Sequence, residues 1–139
     1  MEDRPRLVLV VDDNSAHRYA KVKLLTVAGY AATEASTGEQ ALAMASKADA
    51  VLLDVFLPDI DGLEVCRRLR RDPATANLPI VHMSAIFTSA FDTEEGERAG
   101  GDAYLLKPIA PETLLATLEK VIARRGQARP GSGVAEPGG

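Results

Sequence analysis

Five short hydrophobic segments divide the chain, and four of them end abruptly at a charged or hydroxyl residue. The segments are residues 7–11, 31–35, 51–53, 80–83 and 103–106, of which 31–35 is the weakest. Short, unbroken apolar runs with many β-branched residues are typical of strands covered on both faces, as in parallel sheets. We therefore predict five strands, most of them fully buried.

Between these segments the hydrophobic residues recur at helical spacing. Ala16, Ala20, Leu24 and Val27 form a stripe that stops before Gly29, a residue suited to end a helix. Further helices are predicted to open near residues 37–39, to run from residue 63 to the pair 72–73, and to cover 91–99 and 111–125. The fourth of these five helices has an interior glycine and four acidic residues, so we expect it to be the least stable.

The alternation of strands and helices predicts an α/β fold of five βα units around a five-stranded parallel sheet. Right-handed crossovers leave few topologies, and the doubly wound, flavodoxin-like strand order 2-1-3-4-5 is the common one at this size. The 139 residues suffice for one domain, which we assign to residues 1–125. Residues 126–139 contain five glycines and two prolines, which predicts a flexible tail or linker.

Composition narrows the setting in which such a domain works. A net charge of −4 argues against a surface that coats nucleic acid, so we expect no direct DNA binding. The single cysteine, Cys66, excludes an internal disulfide and favours a reducing compartment, which predicts a cytoplasmic location. No apolar run approaches the ~18–20 residues of a membrane helix, so no membrane association is expected.

The residues that end the strands are the most informative polar positions. Asp12, Asp13, Asp54, Ser84 and Lys107 all lie at the carboxyl ends of predicted strands. In an open parallel sheet those ends share one edge, which is where ligands bind. Each residue alone is explained by a helix cap, a turn or a solvated charge. Capping does not explain why three acids, a hydroxyl and a lysine occupy the same edge, so we predict a single polar pocket.

This set of side chains suits phosphoryl transfer to a carboxylate. Clustered carboxylates repel one another unless a cation shares the site, and Mg²⁺ prefers such oxygen ligands while keeping positions open for phosphate oxygens. One carboxylate can then act as the nucleophile and become an acyl phosphate. Lys107 can offset charge on the transferring group, and Ser84 can donate a hydrogen bond to a phosphoryl oxygen.

Four segments together resemble the receiver domain of two-component response regulators, over about residues 7–124. The segments are LVVDD at residues 9–13, LLDVFLPDIDG at 52–62, VHMSA at 81–85 and DAYLLKP at 102–108. Each segment alone is a weak signal, whereas all four in this order and spacing are specific. The resemblance implies that Asp54 is the phosphoacceptor and that Mg²⁺ is held by Asp12, Asp13, Asp54 and the backbone carbonyl of Phe56.

The resemblance also implies a conformational switch and a set of partners. Ser84 and Lys107 would sense the phosphoryl group, Tyr104 would be the aromatic switch residue, and the Lys107–Pro108 peptide bond would be cis. The phosphoryl donor would be a sensor histidine kinase or a histidine phosphotransfer protein, and the output would pass to a downstream protein effector. Such a domain is a signalling module rather than an enzyme, since it catalyses only its own phosphotransfer and a slow dephosphorylation.

Two apolar residues and one histidine add further expectations. The resemblance implies that Phe56 and Ile86 border the path of a water that would hydrolyse the acyl phosphate. Neither apolar side chain can orient that water, so we predict slow self-dephosphorylation. His82 lies within an apolar strand and is predicted to be a core residue with satisfied hydrogen bonds.

Several alternatives stay open at this stage. A phosphorylation-independent interaction module has the same fold, and a phosphatase of the haloacid dehalogenase type also uses an aspartyl phosphate. The phosphatase needs a second aspartate where this chain has Phe56. The chain is either a stand-alone regulator or the N-terminal receiver of a larger hybrid kinase or effector-linked regulator, and a homodimer is compatible with the sequence.

Overall fold

A computed structural model of the protein describes residues 4–85 and 98–128, apart from the side chains of residues 127 and 128. It contains one parallel sheet in the order β2-β1-β3-β4-β5, which confirms the predicted fold and strand order. The strands are β1 (Leu7–Val11), β2 (Ala31–Ala35), β3 (Ala50–Asp54), β4 (Ile80–Ser84) and β5 (Ala103–Leu106).

The helices of the described part are α1 (Ser15–Val27), α2 (Gly38–Met44), a short 3-10 turn (Ala45–Lys47), α3 (Gly62–Arg71) and the C-terminal helix (Pro111–Ala128). Asn14, Thr37 and Asp61 cap α1, α2 and α3 by accepting a hydrogen bond from a backbone N–H three residues on. Of the predicted fourth helix, residues 91–97 lie outside the described residues. None of the described helices has the length and hydrophobicity needed to cross a lipid bilayer.

The core lies on both faces of the sheet because successive side chains of a strand point to opposite sides. Leu9 and Val11 of β1 join one cluster with residues of α2 and α3, including the buried Cys66. Val8 and Val10 join the other cluster with residues of α1 and the C-terminal helix. Burial on both faces explains why the strand segments are continuous apolar runs rather than alternating ones.

Helix α1 packs on a different face from the one that its hydrophobic stripe suggests. The stripe lies mostly on the exposed side, and Val27 is 83% exposed. Leu25 is fully buried, while Arg18 and Lys21 are half-buried against the sheet. Long basic side chains can cover apolar surface with their alkyl stems while their charged ends reach a polar partner. Here Asp12 supplies that partner for both residues.

The C-terminal helix is longer than predicted. It continues to Ala128, three residues beyond the expected end at Arg125, and includes Gly126 from the segment assigned to the tail. An interior glycine costs about 1 kcal/mol relative to alanine, which a long and already nucleated helix tolerates. The division into a domain and a flexible tail stays a prediction, but the helix moves the boundary between them from residue 125 to residue 128.

The amino edge of the sheet carries a charged network of Arg70, Asp102 and Arg125, here called the amino-edge network. Asp102 accepts hydrogen bonds from Arg70 Nη2 at 3.1 Å, from Arg125 Nε at 2.9 Å and from the backbone N–H of Ile80 at 2.9 Å. Arg70 also donates to the backbone carbonyls of Gly100, Ala76 and Leu78. The network therefore ties α3, the start of β4, the start of β5 and the C-terminal helix together.

Candidate functional site

The carboxyl edge of the sheet brings the predicted site residues together. Asp12 directly follows β1 and is fully buried, Asp54 is the last residue of β3, and Lys107 directly follows β5. The Lys107 ammonium donates to Asp54 Oδ2 at 2.9 Å and to Asp12 Oδ2 at 3.3 Å. Residues that are far apart in the sequence thus meet in one place, as the strand-end pattern predicts.

Asp13 completes an acidic cluster at this edge. Asp12, Asp13 and Asp54 each offer a carboxylate oxygen, and these oxygens lie within 4.8 Å of one another. Three hard oxygen donors at such spacing fit a small divalent cation such as Mg²⁺. Asp13 is exposed and lines a cleft of about 340 Å³ together with Phe56, which gives ions and phosphoryl groups access. We call Asp12, Asp13, Asp54, Lys107 and Lys21 the carboxyl-edge cluster.

The loops after β1 and β3 orient the two buried carboxylates. Asp12 Oδ1 accepts a hydrogen bond from the backbone N–H of Asn14 at 2.9 Å, and Asp54 Oδ1 accepts one from Phe56 at 3.1 Å. Such bonds, to an N–H two residues on, fix an aspartate side chain against its own turn. Gly62 brings the start of α3 against β3, where a Cβ atom would collide with the backbone carbonyl of Asp54.

Burial and ion pairing act in opposite directions on the charges of the site. Burial raises the pKa of Asp54 above its ordinary value of 3.8, although hydrogen bonds from Lys107 and from the Phe56 N–H oppose the rise. Burial disfavours the charged form of Lys107 too, but the hydrogen bond and attraction of Asp54, together with Asp12, raise its pKa above 10.5. The site therefore keeps its lysine charged and contains more negative than positive charge.

Lys21 is a site residue that sequence reasoning missed. Its ammonium lies 3.7 Å from Asp12 Oδ2, the same oxygen that Lys107 contacts. Burial, and then repulsion from Lys107, lowers the pKa of Lys21 below 10.5, while Asp12 and Asp54 act against this shift. In the sequence, Lys21 is simply a lysine next to the apolar stripe of α1. Such a residue is predicted to be exposed unless it is known which face of α1 packs on the sheet.

Ser84 and Tyr104 lie where the resemblance requires them. Ser84 is the last residue of β4 and fully buried, and its backbone carbonyl accepts a hydrogen bond from the Lys107 N–H at 2.8 Å. The Lys107–Pro108 bond is cis, as expected. Tyr104 is half-buried on β5 and pairs in register with His82 on β4. Their roles as a switch stay predictions, and Ile86 lies outside the described residues.

His82 is buried as predicted, but its ring finds no hydrogen-bond partner among the described residues. Its side chain is fully enclosed, and neither ring nitrogen makes a hydrogen bond to the part of the chain that the structure describes. The ring lies 6.1 Å from the Tyr104 ring, measured between centroids, at a tilt of 43°. Burial lowers the pKa of His82 from 6.5 to about 4, and the nearby Gly62 carbonyl only partly opposes this. His82 is therefore neutral at neutral pH.

The sequence matches one protein family over most of its length. A model of the response regulator receiver domain matches residues 8–119. The chain is 37% identical over 124 residues to the phosphate regulon transcriptional regulatory protein PhoB of Pseudomonas aeruginosa, an alignment that covers 87% of this chain and 53% of that protein. The chain thus spans about half the length of the curated relatives that it matches.

Solved structures give the same result. A putative response regulator from Chloroflexus aurantiacus superposes with a TM-score of 0.81 at 36% identity, covering 86% of this chain and 99% of that one. The receiver domain of the sensor histidine kinase PA1611 from Pseudomonas aeruginosa has a TM-score of 0.78 at 30% identity, covering 86% of this chain and 98% of that one. That structure contains a magnesium ion coordinated in its active-site cleft.

Proposed function

The chain belongs to the family of response regulator receiver domains, and we propose that it accepts a phosphoryl group on Asp54. One observation supports this choice of acceptor above all others. Lys107 holds the carboxylate of Asp54 at 2.9 Å beside two further aspartates whose oxygens lie within 4.8 Å. Asp54 thus has a cation for the incoming phosphoryl group on one side and a candidate metal site on the other.

In the proposed reaction a carboxylate oxygen of Asp54 attacks the phosphorus atom of a phosphohistidine. A new O–P bond forms as the P–N bond to the donor histidine breaks, and the bonding electron pair stays with the imidazole nitrogen. Lys107 moves its hydrogen bond from the carboxylate to a phosphoryl oxygen, where its charge offsets the charge of the transferring group. The backbone N–H of Phe56 keeps the acceptor oriented.

The donor set of the cluster fits Mg²⁺, and we assign the ion to Asp12, Asp13 and Asp54 with the backbone carbonyl of Phe56 as a fourth protein ligand. This assignment is supported by the spacing of the three carboxylates and by the magnesium ion in the related PA1611 receiver domain. When bound, Mg²⁺ supplies positive charge that lets several carboxylates and a phosphoryl group share one site.

Ser84 and Tyr104 are the proposed switch. A phosphoryl group adds about −2 charge and three strong acceptor oxygens, which Ser84 and Lys107 can bind only after transfer. Movement of Ser84 toward the phosphoryl group would open space for Tyr104 to turn inward and change the surface near β5. Support comes from the position of Ser84 at the end of β4 and of the half-buried Tyr104 on the neighbouring strand.

Proteins of the two-component pathway are the proposed partners. The donor is a sensor histidine kinase or a histidine phosphotransfer protein, and the output is a contact with an effector protein. PhoB is a transcriptional regulatory protein, and this chain matches about half of it, so an effector domain on the same chain and a separate protein are both compatible. The net charge of −4 supports output by protein contact rather than DNA contact by this domain, and the single Cys66 supports a cytoplasmic location.

Mass spectrometry tests the proposal directly. Incubation with Mg²⁺ and acetyl phosphate is expected to add about 80 Da, the mass of one phosphoryl group, to the wild-type protein. Asp54→Asn is expected to abolish the gain. Asp59→Asn is the matched control, because Asp59 is a nearby aspartate whose carboxylate binds the backbone of α2 instead.

An equal mass gain in Asp54→Asn would overturn the assignment of the acceptor. Absence of any gain in the wild-type protein, with both acetyl phosphate and a phosphorylated histidine kinase as donors, would favour a phosphorylation-independent interaction module.

A further inference from the structure

Lys21 is the charged residue of the carboxyl-edge cluster that the proposed phosphotransfer does not use. It lies on α1 with its side chain 14% exposed, and its ammonium points at Asp12 Oδ2 from 3.7 Å. Lys107 contacts the same oxygen from 3.3 Å. Asp12 Oδ2, which belongs to the candidate metal site, is therefore shared by two ammonium groups.

The placement of Lys21 is not that of an ordinary surface lysine. Exposed lysines on helices keep their ammonium in water, because burial costs both solvation and side-chain freedom. Lys21 instead lies on the packed side of α1, one turn before the fully buried Leu25. A buried ammonium persists only where it has a charged partner, and Asp12 is the carboxylate that it contacts.

The second lysine changes the charge that a metal ion encounters. Among the described residues, three carboxylates face two ammonium groups, which leaves one negative charge in excess, whereas Lys107 alone would leave two. The oxygens of the two buried carboxylates also accept hydrogen bonds, from Asn14 and Lys107 for Asp12 and from Phe56 and Lys107 for Asp54. Lys21 adds an ion pair to Asp12 at 3.7 Å. A divalent cation must compete with these partners to bind.

We propose that Lys21 is a built-in counter-ion of Asp12 that competes with Mg²⁺ and raises the metal concentration at which the site fills. This inference rests on the proposed function, since it needs the acidic cluster to be the metal site. Lys21 is a positioning residue in this scheme, because it acts on the ligand Asp12 and not on the phosphoryl group. The chain would then become competent for phosphorylation only at comparatively high Mg²⁺.

Isothermal titration of Mg²⁺ into the purified protein tests the inference without any measurement of phosphorylation. Lys21→Met removes the charge and keeps an apolar stem, and it is expected to tighten Mg²⁺ binding about tenfold, because a unit charge about 6 Å from a divalent ion in a mostly aqueous site contributes about 1.4 kcal/mol. Lys21→Gln is a second neutral variant in case the first packs poorly, and circular dichroism verifies the fold of each.

Two controls separate a local effect from a general one. Lys23→Met removes one positive charge from the exposed side of the same helix, where Lys23 lies over the Tyr19 ring, and its affinity is expected to stay within about twofold of wild type. Lys21→Arg keeps the charge near Asp12 and is expected to restore the weaker binding.

The outcomes distinguish this inference from the proposed function. Mg²⁺ affinity that is unchanged in folded Lys21→Met and Lys21→Gln, or equal tightening in Lys23→Met, overturns the role of Lys21 while leaving the metal site intact. Absence of saturable binding in wild type and in the Lys21 variants overturns the metal site itself, and with it this inference. Tightening confined to the neutral Lys21 variants, and abolished by adding Asp13→Asn, supports both.

Discussion

The two edges of the sheet both bury charged side chains, but they satisfy them differently. In the amino-edge network one carboxylate, Asp102, faces two guanidinium groups, and Arg70 directs further N–H groups to three backbone carbonyls. In the carboxyl-edge cluster three carboxylates share two lysines, which leaves one negative charge in excess within the described part of the chain.

This difference separates a structural charge cluster from a functional one. A buried charge whose hydrogen bonds all go to fixed protein groups stabilises one arrangement and leaves nothing for a ligand. The extra positive charge of the amino-edge network lies on guanidinium groups whose N–H groups bind fixed carbonyls, whereas extra negative charge on carboxylates open to a cleft is relieved when a cation binds. We therefore expect mutation of a charged residue to destabilise the fold more at the amino edge, and Mg²⁺ to stabilise the fold only through the carboxyl edge.

The largest expected effect is on the stability of the amino edge. Asp102→Ala leaves Arg70 and Arg125 without their carboxylate and is expected to lower the free energy of unfolding by about 3–5 kcal/mol, as for other broken buried ion pairs. Urea denaturation measures the loss. Asp13→Ala at the other edge removes an exposed carboxylate from a site with surplus negative charge, and its cost is expected to stay below about 1 kcal/mol. Equal losses in the two variants would remove the distinction between the edges.

His82 differs from the charged groups of both edges, because it is buried and has no hydrogen-bond partner within residues 4–85 and 98–128. Its pKa of about 4 lies below the ordinary 6.5, so the unfolded chain binds more protons between these values. The free energy of unfolding should therefore fall as the pH drops from about 6.5 to about 4, by about 3 kcal/mol in total.

Acid titration of stability in two variants tests this assignment. His82→Met should remove that part of the pH dependence. The chain has two histidines, so His17→Gln, on the exposed side of α1, is the matched control and should retain it. The same slope in His82→Met and wild type would contradict the assignment to His82.

Mg²⁺ should stabilise the carboxyl edge and have no specific effect on the amino edge. At a tenfold excess over its dissociation constant, an ion that binds only the folded state adds about 1.4 kcal/mol to the free energy of unfolding. Thermal or urea unfolding with and without Mg²⁺ measures this gain. Asp13→Asn should abolish it, whereas a variant of Arg125 should retain it despite being less stable. Stabilisation that survives Asp13→Asn would place the ion elsewhere.

The smallest expected effect concerns the lifetime of the phosphorylated state. Phe56 is 52% exposed beside the cleft and cannot orient a water molecule by hydrogen bonding. Phe56→Asn should speed loss of the phosphoryl group about fivefold, which corresponds to about 1 kcal/mol in the barrier. Phe56→Leu should leave the rate unchanged, and mass spectrometry over time follows both. Wild-type hydrolysis within seconds, with no acceleration in Phe56→Asn, would refute the prediction of slow dephosphorylation.

The sequence predicts where the strands lie and that Asp12, Asp54 and Lys107 meet. Both predictions follow from the hydrophobic pattern and from the geometry of a parallel sheet. An apolar run covered on both faces specifies a strand, and a parallel sheet brings all strand ends to one edge. These rules need no knowledge of how side chains pack.

The features that could not be predicted depend on tertiary packing. Lys21 joins the site only because α1 turns Arg18 and Lys21, and not its alanine stripe, toward the sheet. The missing partners of His82 depend on what its neighbours place around the ring. The C-terminal helix continues past Gly126 because a long helix tolerates the cost of about 1 kcal/mol of one interior glycine. Composition alone places the end of the domain at that glycine.

The tight contact at Gly62 has a consequence for protein engineering. Since a methyl group there would overlap the Asp54 carbonyl, the first turn of α3 and strand β3 cannot be separated by even one side chain. Chimaeras that exchange α3 must therefore keep glycine at this splice point. A donor helix that begins with any other residue would displace Asp54 together with the segment that was grafted.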